Sequence, residues 1–117
     1  MEVAVKGPGK FAVTVVGVSQ YQPVLDAAAK EDAPLSAVLT PEDDNAHDDQ
    51  AVAVHLHGQR VGYLSRADAR RFRADLVRTG YTHLSVRCKA KIVGGFETAA
   101  GKRAHLGLKL DLPRFSG

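Results

Sequence analysis

The side chains best suited to chemistry are concentrated in one acidic segment, residues 42–49, which reads EDDNAHDD. Carboxylates and an imidazole this close in sequence can act as general acids and bases or bind a metal ion. A metal-dependent hydrolase would use four of them: Asp43, His47, Asp48 and Asp49. However, their spacing does not match a calcium-binding loop, and Asp and Asn also form turns by hydrogen bonding to their own backbone. The sequence therefore favours a solvated, turn-forming loop and predicts no metal site.

Acidic and basic residues are segregated along the chain, whose net charge is +3. Residues 26–49 contain eight acidic residues and one lysine, a local charge of −7, so the rest of the chain carries +10. Such a distribution attracts a polyanion over most of the surface and repels it at one place. A polyanion is thus the ligand class that the charge favours.

The basic residues include an alternating series on the polar face of one predicted strand, Arg87, Lys89 and Lys91, with Lys109 on the polar face of the next. If the two strands pair, these cations form a stripe suited to phosphates. An ordinary solvated surface is the alternative interpretation, which charge alone does not exclude. Few aromatic side chains are available to stack on bases: Tyr21, Tyr63, Tyr81 and Phe96.

Sequence motifs of the common enzyme classes are absent: there is no G-x-x-x-x-G-K-[ST], G-x-S-x-G, C-x-x-C or H-E-x-x-H. We therefore expect neither catalysis nor a cofactor. The single cysteine, Cys88, lies on the apolar side of an alternating run and is predicted to be a buried structural thiol. No apolar run approaches the roughly 20 residues that cross a bilayer, and the N-terminus lacks the order of a signal peptide, so we expect a cytoplasmic protein with no membrane contact.

The acidic segment leads into a predicted β-hairpin. Residues 51–56 alternate between apolar and other side chains, the chain reverses at residues 57–59, and residues 60–64 return. Ser65 then reads as the N-cap of a helix from Arg66 to Arg78, and Gly80 as its terminator. The hairpin and this helix are the elements that must hold the acidic loop in place.

The remaining periodic runs predict four more strands, at residues 11–18, 35–39, 84–93 and 104–112, and a short helix at residues 24–30. Residues 1–9 have no hydrophobic period and are predicted to be a frayed lead-in. Gln22 precedes a proline and is predicted to have an extended backbone. No linker indicates a second domain. The fold class expected is mainly β with one or two helices, arranged as a small, six-stranded, partly open β-barrel.

Three sequence blocks, taken together, resemble the HIRAN domain, a module at the N-terminus of certain SWI2/SNF2-type DNA-repair helicases and also found as stand-alone bacterial proteins. The blocks are F-x-V-x-V-V-G at residues 11–17, TPEDDNAHDDQAVAV at residues 40–54 and V-G-Y-L-S-R-x-x-A at residues 61–69. The second block is close to the family pattern N-x-x-D-x-x-A-V/I-x-V. The resemblance covers residues 10–112. With the lead-in at 1–9, we therefore expect one HIRAN-like domain at 10–113 and a tail at 114–117.

The resemblance implies an OB-like barrel that, in helicase-associated members, captures the 3′-hydroxyl end of single-stranded DNA. By this resemblance Asp48 accepts a hydrogen bond from the terminal hydroxyl, and Asn45 shapes the loop or contacts the terminal nucleotide. Tyr21 stacks on a base, while Tyr63 and Arg66 line the phosphate path. A carboxylate in a basic groove repels phosphates but can accept a hydrogen bond from a terminal hydroxyl. One negative charge therefore makes a nonspecific groove selective for the end of a strand.

Two positions depart from the helicase-associated members. Those proteins place an aromatic residue just before the loop aspartate, where this chain has His47, and an Arg-Tyr-Tyr-like run where this chain has residues 19–21, SQY. The hypothesis is a non-catalytic module that binds single-stranded DNA at its 3′ end. The alternative is a protein-interaction module for a helicase or nuclease, and the metal-dependent hydrolase is the third.

Overall fold

A computed structural model describes residues 2–31, 34–80, 85–94 and 105–113 of the 117-residue chain. Within them lie seven strands and two α-helices: β1 (Glu2–Ala4), β2 (Val13–Val16), α1 (Gln22–Ala29), β3 (Leu35–Pro41), β4 (Val52–Leu56), β5 (Gln59–Leu64), α2 (Arg66–Thr79), β6 (Ser85–Gly94) and β7 (Leu106–Asp111). The predicted tail and most of the loop predicted between the last two strands lie outside the described residues.

Six antiparallel strands form a closed ring in the order β6, β3, β4, β5, β2, β7, with β7 pairing back to β6. The six-stranded, OB-like barrel is thus confirmed, but the expectation that it is partly open is wrong. Closure follows from the length of β6, which has ten residues. Residues 86–90 pair with β3, and residues 89–94 pair with β7. One strand therefore joins both ends of the sheet.

The seventh strand, β1, lies outside the ring and pairs in parallel with residues 85–87 of β6. It falls in the segment for which the sequence predicted no regular structure, because three residues are too few to show a period. The Asp111 carboxylate fixes the chain that follows β1, since its two oxygens accept hydrogen bonds from the Gly9 backbone N–H at 2.9 and 3.0 Å.

The core is formed mainly by alternate apolar residues of the ring strands, together with Leu25 of α1. Nine side chains are less than 2% exposed: Leu25, Leu39, Leu56, Leu108, Leu110, Val52, Val54, Val61 and Val86. Three residues of α2 at helical spacing are also buried and pack into the same cluster: Ala69, Phe72 and Leu76. Cys88 is buried as predicted, and this burial, aided by the charge of Asp111, raises the pKa of its thiol to about 12.

Local signals set the ends of the two helices. The Ser65 Oγ accepts a hydrogen bond from the Asp68 backbone N–H at 3.2 Å, and Gly80 adopts a left-handed conformation with φ 81°. Gln22 begins α1 and is not extended, because its side chain bridges to the barrel: it donates to the Leu106 carbonyl at 2.9 Å and accepts from the Leu106 N–H at 2.8 Å. Among the described residues, no helix is long and apolar enough to cross a membrane.

The β4–β5 hairpin turns through His57 and Gly58, whose φ angles are 50° and 78°. Both values are positive, as a two-residue turn of type I′ requires. The pairing of the hairpin then shifts by one residue, because His55 pairs with Arg60 whereas Val54 pairs with Gly62. β5 therefore contains a β-bulge near the middle of the strand, where it bends the chain and changes the direction of the side chains.

Candidate nucleic-acid interface

Asn45 organises the acidic loop between β3 and β4. Its side-chain oxygen accepts hydrogen bonds from the backbone N–H groups of His47, at 2.8 Å, and Asp48, at 3.0 Å. Its amide nitrogen donates to Glu42 Oε1 at 3.0 Å. The Asp48 carboxylate continues the series by accepting from the Gln50 N–H at 3.0 Å. These side-chain turns explain why a segment rich in Asp and Asn holds a defined shape.

Arg73 fastens this loop to α2. Its Nε donates to the Gln50 carbonyl at 2.7 Å, its Nη2 to the Ala51 carbonyl at 2.9 Å, and its Nη1 to Asp43 Oδ1 at 2.7 Å. Only 15% of the side chain is exposed. The guanidinium therefore satisfies the backbone at the end of the loop and neutralises part of its charge, which makes Arg73 a positioning residue for Asn45 and Asp48.

Asp48 lies between two arginines of α2. The Arg66 Nε is 3.9 Å from Asp48 Oδ2, and the Arg70 Nη2 is 3.8 Å from Asp48 Oδ1. The Asp48 side chain is 17% exposed, against 79% for Arg66 and 53% for Arg70. Both distances exceed a hydrogen bond, so the arginines keep donors for a ligand. The three side chains share an open depression of about 390 Å³ with four neighbours: Asn45, Ala46, His47 and Asp49.

Arg60 joins the two candidate stacking tyrosines. Its Nη1 donates to the Tyr63 hydroxyl at 2.9 Å and its Nη2 to the Tyr21 hydroxyl at 3.2 Å, while its guanidinium lies 5.4 Å from the centre of the Tyr63 ring. The bond to Tyr21 raises the pKa of Arg60, so the group stays charged. Burial first, and then the neighbouring Glu42, raise the pKa of Tyr63. The phenol therefore stays neutral at physiological pH.

The two clusters are continuous, because Glu42 both neighbours Tyr63 and accepts from Asn45. We call this surface the loop face; it consists of seven residues: Tyr21, Asn45, Asp48, Arg60, Tyr63, Arg66 and Arg70. The structure thus brings five sequence-predicted site residues together: Tyr21, Asn45, Asp48, Tyr63 and Arg66. His47, also predicted, is exposed at the edge of the depression.

The predicted basic stripe forms on another part of the barrel. Arg87, Lys89 and Lys91 alternate outward along β6, and Lys109 of β7 pairs opposite Lys91. In the ring, β6 lies three steps from β5 and two from β4, and β7 lies two steps from β5 and three from β4. These four residues are not part of the loop face. Two of them also have partners within the chain: Arg87 binds Glu2, and Lys91 lies 5.0 Å from the centre of the Phe11 ring. Tyr81 and Phe96 are outside the described residues.

In the structure, the four residues considered for a metal site do not form a metal-binding group. In the described part of the chain, no group of three or more His, Cys, Asp and Glu side chains is placed to hold a metal ion. Asp43 faces Arg73, whereas Asp48 faces Arg66 and Arg70. Arginines thus already face two of the three carboxylates that a metal ion would use.

Three arginines at or beside the site were not predicted individually from the sequence: Arg60, Arg70 and Arg73. Arg70 follows Arg66 by one helical turn, and this spacing places both side chains on one face of α2. The spacing was therefore a sequence signal for Arg70 as a site residue. Arg60 and Tyr63 are three residues apart, and in a regular strand they would point to opposite faces. The bulge in β5 cancels that difference, and no sequence signal predicts it. Arg73 also had no distinguishing signal.

Comparison with known proteins finds one family model that matches most of the chain. The family model described as the HIRAN domain matches residues 8–94. A crystal structure of a protein from Lactobacillus plantarum shares 20% sequence identity, with coverage of 85% of this chain and 90% of that chain and a TM-score of 0.44. No curated protein matches.

Proposed function

Because the chain belongs to the HIRAN domain family, which consists of nucleic-acid-binding modules, we propose that its loop face binds single-stranded DNA and recognises the 3′-hydroxyl end. In this proposal the protein is a binding module without a catalytic role. The family accounts for nucleic-acid binding in general, whereas the recognition of an end rests on the geometry around Asp48.

The observation that carries the proposal is a carboxylate inside a cationic depression. Asp48 is mostly buried at the base of the loop, and Arg66 and Arg70 stand on either side of it at 3.9 and 3.8 Å. Two arginines attract a phosphate, whereas the carboxylate repels one by about 1 kcal/mol at 4 Å in water and more where water is excluded. A terminal hydroxyl avoids that repulsion because it donates a hydrogen bond to the carboxylate. The depression thus favours a strand that ends in a hydroxyl.

The other side chains of the loop face have roles that suit a single strand. Tyr21 and Tyr63 offer aromatic rings for base stacking, which contributes about 1–3 kcal/mol per base in single-strand binding. Arg60 holds both phenols in place and presents a guanidinium that is charged at any physiological pH. His47 is exposed beside Asp48 and can stack on the last base.

The proposal predicts that DNA ending in a 3′-hydroxyl binds about tenfold or more tightly than the same strand ending in a 3′-phosphate. Asp48→Ala should erase this preference, because Arg66 and Arg70 then meet either end without a competing negative charge. The measurement is fluorescence anisotropy with oligothymidylates that carry the label at the 5′ end.

Asp44→Asn is the matched control, since Asp44 is an exposed acid of the same loop that does not line the depression. It removes the same charge and should leave the preference intact. Equal affinity of the wild-type protein for both ends would contradict the recognition of a 3′-hydroxyl.

A further inference from the structure

A second depression, of about 410 Å³, lies on the outer face of β3. We call it the outer groove. Its lining is almost entirely polar: Glu2, Ser36, Val38, Thr40, His55, His57, Gly58, Ser85 and Arg87. Its hydroxyl groups, His55 and Arg87 are possible donors for an anion, whereas His57 already contacts the Glu31 carboxylate at 3.0 Å. Val38 is its one sizeable apolar side chain. The groove therefore suits a phosphate better than an apolar ligand.

The strand register connects the outer groove to the loop face. Arg87 pairs with Val38, Val38 pairs with His55, and His55 pairs with Arg60, so these four residues form one row across β6, β3, β4 and β5. Residues paired in this way project from the same side of a sheet. Three steps between strands span about 15 Å. The row begins at Arg60, beside the stacking tyrosines, and ends at Arg87.

At the far end of the row, Arg87 already binds an anionic group of the chain. Its Nε and Nη2 donate to one oxygen of Glu2, at 3.1 and 2.9 Å, and its Nη1 donates to the Ser36 hydroxyl at 3.0 Å. Phosphate oxygens are bound by arginine through the same donors. Glu2 belongs to β1, which has three residues and pairs only with β6, and its side chain is 45% exposed. Such a peripheral strand opens at low free energy, so Glu2 is a displaceable occupant.

We propose that the outer groove binds a backbone phosphate of the same DNA strand whose 3′ end lies at the loop face, with Arg87 as the phosphate ligand and Glu2 as its competitor. This inference rests on the proposed function, because the strand must first be anchored at Asp48. From the tyrosines the strand follows the row past His55, and the hydroxyls of Ser36 and Thr40 lie along the same face. The groove thereby makes affinity depend on strand length.

The test compares a trinucleotide with a decanucleotide, both oligothymidylates with a 3′-hydroxyl and a 5′ fluorophore. When each strand ends at Asp48, the two internucleotide phosphates of the trinucleotide stay close to the loop face, whereas the decanucleotide is long enough to place phosphates along the whole row of about 15 Å. Glu2→Gln should strengthen binding of the decanucleotide about three- to fivefold by removing one adjacent negative charge. It should leave the trinucleotide unchanged. Arg87→Ala should weaken only the decanucleotide, also by several-fold, and reduce its salt slope by about 0.7.

Asp26→Asn and Arg71→Ala serve as charge-matched controls, because the Asp26 side chain is partly exposed, the Arg71 side chain is exposed and neither lines the groove. They should change the two affinities equally. If the wild-type protein binds both lengths alike, or if Glu2→Gln and Arg87→Ala act no differently from the controls, the groove proposal is overturned and the proposed function stands. If neither length binds, the proposed function fails and the groove proposal fails with it. A two-dimensional NMR titration that shifts His55 only with the decanucleotide would support the groove independently of affinity.

Discussion

Arg73 shows how one side chain can fix the acidic loop from outside the depression around Asp48. It bonds to two loop carbonyls and to Asp43 while remaining mostly buried. Removing it leaves the Gln50 and Ala51 carbonyls without these donors and frees the loop that carries Asn45 and Asp48. A lysine at the same position has no planar fork and cannot replace the three bonds.

Arg73→Ala should therefore lower the free energy of unfolding by about 2–3 kcal/mol, since the lost hydrogen bonds come from a charged, largely buried donor. It should also reduce the preference for a 3′-hydroxyl end, because Asp48 is no longer held between Arg66 and Arg70. Urea denaturation and the anisotropy assay measure the two effects. Arg71→Ala, on the exposed face of the same helix, is the control. A variant as stable and selective as this control would contradict the positioning role.

Cys88 should behave as an unreactive thiol in the folded protein. Its burial raises the pKa to about 12, from an ordinary value of 9.0, so at pH 8 the folded thiol ionises about a thousandfold less than the unfolded one. Iodoacetamide should label the protein at least that much more slowly in buffer than in denaturant. Equal labelling rates in the two conditions would show that Cys88 is accessible.

The raised pKa of Cys88 also determines the direction in which the free energy of unfolding changes at alkaline pH. Between pH 9, where the unfolded thiol ionises, and pH 12, where the folded thiol does, the unfolded state releases a proton that the folded state keeps. The contribution of Cys88 to the free energy of unfolding is therefore complete below pH 9 and falls as the pH rises through this window.

Some residues of the site follow from the sequence and others do not. Asn45 and Asp48 are identifiable because a short motif fixes both their type and their spacing, and the local turns they form need no distant partner. Arg60 depends on a bulge in β5, and Arg73 depends on the position of α2 beside the loop. These are properties of packing between elements, which the types and spacing of neighbouring residues do not encode.

At the scale of elements, β5 and β2 approach unusually closely at Gly62. A Cβ at this position would contact the Val16 carbonyl oxygen and lie 2.7 Å from Val15 Cγ1. Gly62→Ala should therefore lower the free energy of unfolding by about 1–3 kcal/mol through overpacking. Gly107→Ala in β7 is the control, because its nearest neighbour, Val93 Cγ2, lies 3.3 Å away and can rotate. Thermal unfolding measures the stability of the two variants. An equal loss of stability in both would contradict the close approach of β2 and β5 at Gly62.

The predicted elements match the observed ones wherever a segment carries its own signal. The six ring strands show alternation, and α2 shows both a cap and a terminator, so their approximate bounds follow from the sequence. β1 is too short to alternate. The closing of the ring depends on β6 pairing with β3 and β7 at once, and that choice of partners is made by tertiary structure.

At the scale of the molecule, cations outnumber acids on the loop face and along β6 and β7, although the chain as a whole carries only +3. If a short strand contacts Arg60, Arg66 and Arg70, about three phosphates are neutralised. The logarithm of the binding constant should then fall with the logarithm of salt concentration with a slope of about −2. Anisotropy titrations between low and moderate salt measure it. A flat dependence would contradict phosphate contacts and favour a protein-interaction module.

Ring closure also separates the chain into parts that assemble at different entropic cost. The pairing of β2 with β7 joins Val13 to Leu110, 97 positions apart, whereas the β4–β5 hairpin joins Leu56 to Gln59. Closing the longer loop costs about 3 kcal/mol more chain entropy than closing the shorter one. Six of the seven loop-face residues lie in one continuous segment around that hairpin, residues 42–73, and only Tyr21 lies outside it. The strand pairing of shortest sequence separation among the described residues thus lies in the segment that carries most of the candidate site.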